Sequence, residues 1–127
     1  MQRTVAIAAA LGASLATDAA YAMSLSFSWD GVRACGSSPP AFQLADVPAG
    51  TTKLAFAMVD LNVPSFHHGG GTVAYQGGDT IPAGSFSYTG PCPPSGQHRY
   101  RWTVRALDAR GKPLATATAT EAFPPPK

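Results

Sequence analysis

The sequence predicts an all-β domain: an antiparallel β-sandwich of short strands with Greek-key-like connections and little helix. The chain has 13 glycines and 12 prolines among 127 residues, so turns interrupt it every few residues and a helical bundle is excluded. Hydrophobic residues make up 45% and charged residues only 13%, a composition typical of a folded core rather than of disorder. Several segments alternate with a period of two, and none keeps a 3.6-residue period over ten residues.

Six segments are expected to be extended, and each is bounded by Gly, Pro or Asp turns. The first alternates serine with Leu25, Phe27 and Trp29, as expected for a half-buried strand. Lys53–Asp60 is apolar on both faces, which predicts a central strand. The residues of these six segments are 24–29, 53–60, 72–76, 86–88, 99–107 and 115–122.

The strand at 99–107 has the clearest alternation. Tyr100 and Trp102 share one face with the apolar residues that follow, while three arginines occupy the other face. His98 immediately precedes this strand and shares the parity of Tyr100. We therefore expect its ring to point towards the interior at the end of the strand.

The first 22 residues have the pattern of a secretory signal peptide. Arg3 supplies the positive charge, residues 5–15 form the apolar segment, and Ala20-Tyr21-Ala22 is a small-x-small cleavage site. The apolar segment is shorter than the roughly 20 residues that span a bilayer. We expect cleavage after Ala22, which leaves residues 23–127 as a single exported domain in the periplasm or the medium. The alternative is a short buried N-terminal helix.

Export affects the interpretation of the two cysteines. In an oxidising compartment, an isolated pair such as Cys35 and Cys92 is most simply a disulfide. Two thiols do not make a four-ligand zinc site, and the histidines lack ligand spacing, so no metal or other cofactor is expected. A net charge of +2 gives no indication of nucleic-acid binding.

Three polar residues lie where a plain apolar core would not place them. Asp60 ends the most buried strand, His68 begins a glycine run, and His98 lies at the start of the arginine-bearing strand. Two imidazoles and a carboxylate beside glycine amides are suited to holding a small anion such as phosphate. The alternatives are that Asp60 caps the turn at 62–64 and that His68 is an ordinary loop histidine.

These residues also lie in motifs that resemble the phosphatidylethanolamine-binding protein family, or Raf-kinase-inhibitor-like family, in its bacterial branch. The most specific motif is G-P-C-P-P-x-G-x-H-R-Y at residues 90–100, supported by the D-x-N-x-P segment at 60–64 and by His68. The family resemblance spans about residues 27–108. It departs from the usual pattern at Asn62, where a second carboxylate is common, and at Gly69, where an aromatic residue is common.

The resemblance implies a β-sandwich whose small cavity binds a phosphate-bearing or other small anionic group. No enzymatic activity is expected, because no serine or cysteine lies in a G-x-S-x-G or comparable nucleophile context. The expected partner is therefore a small anionic or phosphorylated ligand. Two alternatives remain: a module that inhibits another exported protein, and a hydrolase that uses the Asp/His/His cluster. The ligand-binding residues carried over from the family are Asp60, Pro64, His68, Gly90, Pro91, His98 and Tyr100.

The signal peptide makes a prediction about the mature protein. When the full chain is expressed in a bacterial cell and exported, intact-mass spectrometry should show a protein that begins at Met23. Replacing Ala22 by arginine should block cleavage, because the site requires small side chains. An exported protein that retains residues 1–22 would contradict the prediction.

Overall fold

The structure, a computed structural model, describes residues 22–126; apart from Ala22, the predicted signal peptide lies outside this range. The described residues form an all-β fold, which confirms the predicted fold class. Within them, no helix has the length and apolar character needed to cross a membrane. The seven strands are β1 (Ser24–Phe27), β2 (Phe42–Ala45), β3 (Lys53–Asp60), β4 (Gly70–Ala74), β5 (Thr80–Ile81), β6 (His98–Leu107) and β7 (Pro113–Phe123).

The strands form two antiparallel sheets that enclose one core. A three-stranded sheet has the order β1-β2-β5, and a four-stranded sheet has the order β4-β3-β6-β7. The predicted strand at Lys53–Asp60 is β3, and it is central, with β4 on one side and β6 on the other. Its inward residues interdigitate with those of the facing sheet, where Phe42 stacks on Phe56 with ring centroids 4.4 Å apart.

The long pairing of β3 with β6 positions the end of each strand. The register runs from Lys53 opposite Leu107 to Asp60 opposite Tyr100. Met58 lies opposite Trp102, whose side chain is completely buried. Because this apolar ladder fixes the inward face of both strands, it also fixes the face on which their polar end residues lie.

Several extended segments differ from the sequence prediction. The four residues of β2 begin two positions after Pro40 and were not predicted; this short strand buries Phe42 and Leu44. The segment at 86–88 is not a strand, because the Tyr88 N–H donates to the Ser37 carbonyl (3.0 Å) outside any strand pairing. The strand that pairs with β2 is the short β5, which was also not predicted. The segment predicted at 72–76 is β4, which starts earlier because Gly70 can lie against the Phe56 carbonyl, where a Cβ would clash.

The predicted disulfide between Cys35 and Cys92 is confirmed. It joins the loop after β1 to the proline-rich loop before β6. Two backbone hydrogen bonds flank it: the Cys35 N–H donates to the Pro91 carbonyl (2.8 Å), and the Gly90 N–H donates to the Gly36 carbonyl (2.8 Å). A Cβ at Gly90 would lie 2.5 Å from that carbonyl oxygen, so only glycine allows this contact. The two loops are thereby held together beside the end of β6.

Candidate functional site

The carboxylate of Asp60 is the most highly connected polar group in the described residues. Its side chain is buried at the end of β3. One oxygen, Oδ1, accepts hydrogen bonds from the backbone N–H groups of Asn62 (2.8 Å) and Val63 (3.1 Å). The other, Oδ2, accepts a hydrogen bond from Nδ1 of His98 (2.7 Å). Asp60 therefore caps the turn after β3, as the alternative interpretation predicts, and it also binds a histidine.

These contacts determine the ionisation of Asp60. Burial would raise the pKa of its carboxyl group, but the hydrogen bond from His98 and the two backbone donors outweigh burial and lower the pKa below its ordinary value. The carboxylate is therefore ionised at neutral pH. Because a carboxylate only accepts hydrogen bonds, Nδ1 of His98 carries a hydrogen. The Nε2 atom is then the nitrogen of His98 that remains available to a ligand.

His68 is a second buried histidine on the same side of the sandwich. Only 4% of its surface is exposed. Its Nδ1 lies 2.6 Å from the carbonyl oxygen of Thr89, so Nδ1 carries the hydrogen and donates it. Its Nε2 is buried and has no hydrogen-bond partner among the described residues. The ring packs edge-on against Tyr100, with ring centroids 5.6 Å apart and an interplanar angle of 89°.

Tyr100 lies between the two histidines. It stacks on His98 with a centroid distance of 6.3 Å and has only 1% of its surface exposed. Burial, and to a lesser extent the negative charge of Asp60, raises the pKa of Tyr100 to about 12, although the backbone N–H of Cys92 opposes the shift. The phenol is therefore neutral at physiological pH and retains its O–H hydrogen.

Asp60 and the three rings described above line a single cavity. It has a volume of about 440 Å³, within the range of small-molecule sites. Phe66 and Val63 are unusually exposed for large apolar residues, at 51% and 40% of their surface, and they form apolar parts of the lining. The residues that line the cavity are Asp60, Val63, Phe66, His68, Cys92, Pro93, Pro94, His98 and Tyr100.

The structure brings together four of the seven ligand-binding residues expected from the sequence: Asp60, His68, His98 and Tyr100. The other three lie close by but not on this lining. Pro64 borders a smaller adjacent cavity that also contains His67 and His68. Gly90 and Pro91 lie behind the wall, where their backbone groups hold the loop that carries Cys35.

Sequence reasoning missed Val63, Phe66, Pro93 and Pro94 as lining residues, and it assigned Cys92 only to the disulfide. The two prolines and Cys92 lie in the specific motif at 90–100, so the motif was a usable signal for them. Exposed apolar residues at 63 and 66 flank the D-x-N-x-P turn but have no sequence pattern of their own. Within residues 22–126, no group of three or more His, Cys, Asp or Glu side chains is arranged to hold a metal ion.

The model of the phosphatidylethanolamine-binding protein family matches residues 67–124. This segment contains His68, His98 and Tyr100, while Asp60 precedes it. The family resemblance seen in the sequence is confirmed. No curated protein matches the chain at the level required for significance.

Two solved structures show the fold that goes with this family. A phosphatidylethanolamine-binding protein homologue, CT736 from Chlamydia trachomatis, has a TM-score of 0.57 and 20% identity, over 80% of this chain and 97% of its own. YbcL from E. coli, described as a member of the mammalian family, has a TM-score of 0.51 and 20% identity, over 71% of this chain and 81% of its own. At this identity the likeness concerns the fold, and the chain has a phosphatidylethanolamine-binding protein-like sandwich.

The contacts of Asp60 predict a pH-dependent contribution to stability. Its pKa is lowered on folding, so the stabilisation is complete above the pKa of an unfolded aspartate, about 3.9, and is lost as the pH falls through the lower folded value. Asp60→Asn should reduce the free energy of unfolding at pH 7 by about 2 kcal/mol, because a buried hydrogen-bond network loses its charged acceptor. The deficit should shrink below about pH 4.

Urea denaturation at neutral and acidic pH measures this difference. Asp30→Asn, which changes an exposed carboxylate, is the matched control and should alter stability by less than about 0.5 kcal/mol. A deficit for Asp60→Asn that is unchanged in acid would show that the carboxylate's charge does not contribute.

Proposed function

We propose that this chain is an exported small-ligand-binding domain whose cavity holds a phosphate-type anionic group. The observation that carries the proposal is that His68, His98 and Tyr100 line one cavity, and that Asp60 orients His98 through a hydrogen bond to its Nδ1. Binding would use hydrogen bonds and charge and would involve no covalent step.

The hydrogen bonds of Asp60 make the cavity compatible with an anion. Three N–H donors engage its two oxygens, so they offset much of the negative charge before a ligand arrives. With a second hydrogen on Nε2, His98 becomes a cation whose charge Asp60 balances, and Nε2 becomes a charge-assisted donor. The neutral phenol of Tyr100 supplies a further O–H group.

The walls of the cavity strengthen these interactions. The lining is mainly apolar where it is formed by Pro93, Pro94, Val63 and Phe66. This apolar surface lowers the local dielectric constant and therefore strengthens each hydrogen bond to an anion. The exposed ring of Phe66 can also pack against an apolar substituent of the ligand. A small phosphorylated headgroup has the required combination of an anionic end and a less polar remainder. The name of the family refers to proteins that bind phosphatidylethanolamine, a lipid with a phosphorylated headgroup.

Export to the periplasm or the medium is part of the proposal. Residues 1–22 have the signal-peptide pattern, and the Cys35–Cys92 disulfide is of the kind that persists in oxidising compartments. These two features come from distant parts of the sequence and support the same location.

Titration with inorganic phosphate, followed by NMR of the histidine rings, tests the proposed function. The signals of His68 and His98 should shift with a common dissociation constant. Either His68→Ala or His98→Ala should weaken binding at least about tenfold, because each removes a hydrogen-bonding group from a buried anion.

His67→Ala is the matched control, because His67 neighbours His68 in sequence but does not line the cavity. It should leave the dissociation constant unchanged. Near-UV circular dichroism of each variant checks that the core is intact. Ring signals of His68 and His98 that stay fixed at saturating phosphate would refute the proposed function.

A further inference from the structure

The outward face of the four-stranded sheet carries positive charge that the cavity does not use. Arg99, Arg101 and Arg105 occupy outward positions of β6 and are exposed, whereas the cavity residues His98 and Tyr100 have the inward parity of the same strand. Because a strand rises about 3.4 Å per residue, this arginine row is about 20 Å long. We propose that the arginine row is a docking surface for a linear acidic polysaccharide, and this proposal does not depend on the function of the cavity.

The arginine row has no carboxylate to neutralise it. Within residues 22–126, the one ion pair joins His98 to Asp60. The acidic side chains of this part of the chain lie in loops beside β1, β2 and β5, in the cavity, in the turn between β6 and β7, and at an inward position of β7. In that order they are Asp30, Asp46, Asp79, Asp60, Asp108 and Glu121. The outward face of this sheet is therefore cationic without internal compensation, and it attracts polyanions from solution.

The neighbouring strands make the positive row one residue wide. Arg105 lies between Ala55 of β3 and Thr116 of β7, and Lys53 continues the positive charge at this end. The other outward residues that flank the row on these two strands are also uncharged: Ala57, Val59, Thr118, Thr120 and Ala122. Since adjacent strands lie about 4.8 Å apart, the arginine side chains project above a shallow, uncharged surface on either side. A single polymer chain with anionic groups at intervals can lie along such a row.

The side chains of this face match the groups of an acidic polysaccharide. A guanidinium group keeps its charge at physiological pH and forms two parallel hydrogen bonds with a carboxylate or a phosphate; a sulfate presents the same tetrahedral oxygens as a phosphate. Thr116 and Thr118 are exposed, and their hydroxyl groups can both donate to and accept from sugar hydroxyls. One polymer that carries acidic groups and hydroxyls can therefore use both kinds of side chain.

Other polyanions need features that this face does not have. Proteins that bind single-stranded nucleic acids stack the bases on aromatic side chains, and no aromatic residue occupies an outward position of β3, β6 or β7. Binding to a bilayer surface uses apolar side chains that insert beside the cations, whereas alanine, valine and threonine flank the row. An extended peptide binds through free backbone groups at a sheet edge, but β6 lies between β3 and β7. An acidic polysaccharide requires none of these features.

Titration of the protein with size-defined heparin fragments tests the proposal, because heparin is a linear sulfated polysaccharide. Three cation contacts predict that the affinity falls about 40-fold between about 50 and about 200 mM salt, since counterion release gives a slope of about −0.9 per contact. Uncharged dextran should not bind. Failure of heparin to bind, an affinity independent of salt, or equal binding of dextran would overturn the proposal.

Two double variants with the same change in net charge locate the surface. Arg101→Gln with Arg105→Gln should weaken heparin binding at least about tenfold and reduce the salt slope by about two. Arg33→Gln with Arg110→Gln is the matched control, because both residues are exposed in loops outside the row; it should change the affinity by less than about threefold, since distant charges are screened. Equal losses in the two double variants would show that net charge alone binds heparin and would overturn the proposal.

Competition separates the arginine row from the cavity. Inorganic phosphate, added at constant ionic strength, should leave heparin binding unchanged, because the row and the cavity use opposite faces of β6. Displacement of heparin by phosphate under these conditions would place its sulfate groups in the cavity and would overturn the proposal.

Three further probes distinguish the classes of partner. Polyglutamate, single-stranded poly(dT) and phosphatidylglycerol vesicles are compared with heparin at equal charge concentration, and each should bind more weakly. Tighter binding of any of them, with the same dependence on Arg101 and Arg105, would assign the row to that class of partner and overturn the proposal.

Discussion

The register between β3 and β6 is the constraint on which the candidate site depends. Asp60 and Tyr100 lie opposite each other at the end of this pairing, and His98 begins β6 only two residues before Tyr100. Because side chains alternate across a strand, a shift of one residue would move one of these groups to the outer face. The completely buried Trp102, opposite Met58, anchors the register from within the core.

Asp60 links this backbone register to the orientation of a cavity histidine. Its carboxylate is held by two N–H groups of the turn that follows β3, and it fixes the hydrogen and the orientation of His98. The site therefore does not depend on a flexible side chain finding its partner. The disulfide at Cys92 performs a similar function for the opposite wall, because it holds the proline-rich loop against the loop after β1. A preorganised cavity of this kind binds its ligand with a smaller entropic cost.

The sequence was informative wherever a periodic pattern or a motif existed. The alternation in β6 placed His98 on the inward face with Tyr100, and the apolar run of β3 identified a central strand. Short strands could not be predicted in this way, since β2 and β5 have too few residues to show a period. The lining by Phe66 and Val63 depends on the course of the loop after Asp60, which combines local hydrogen bonds to Asp60 with a long-range one from the Arg99 N–H to Oδ1 of Asn62. The difference between the two histidines depends on their Nδ1 partners, Asp60 and Thr89, which are remote in sequence.

A crystal structure of the protein grown in phosphate would test the central claim most directly, because it shows both the occupant and its contacts. The account predicts one phosphate in the cavity, with oxygens within about 3 Å of Nε2 of His68 and of Nε2 of His98. It also predicts that Asp60 keeps its hydrogen bond to Nδ1 of His98. A phosphate bound elsewhere while the cavity holds none, or ring nitrogens of the two histidines directed away from a common point, would contradict the account.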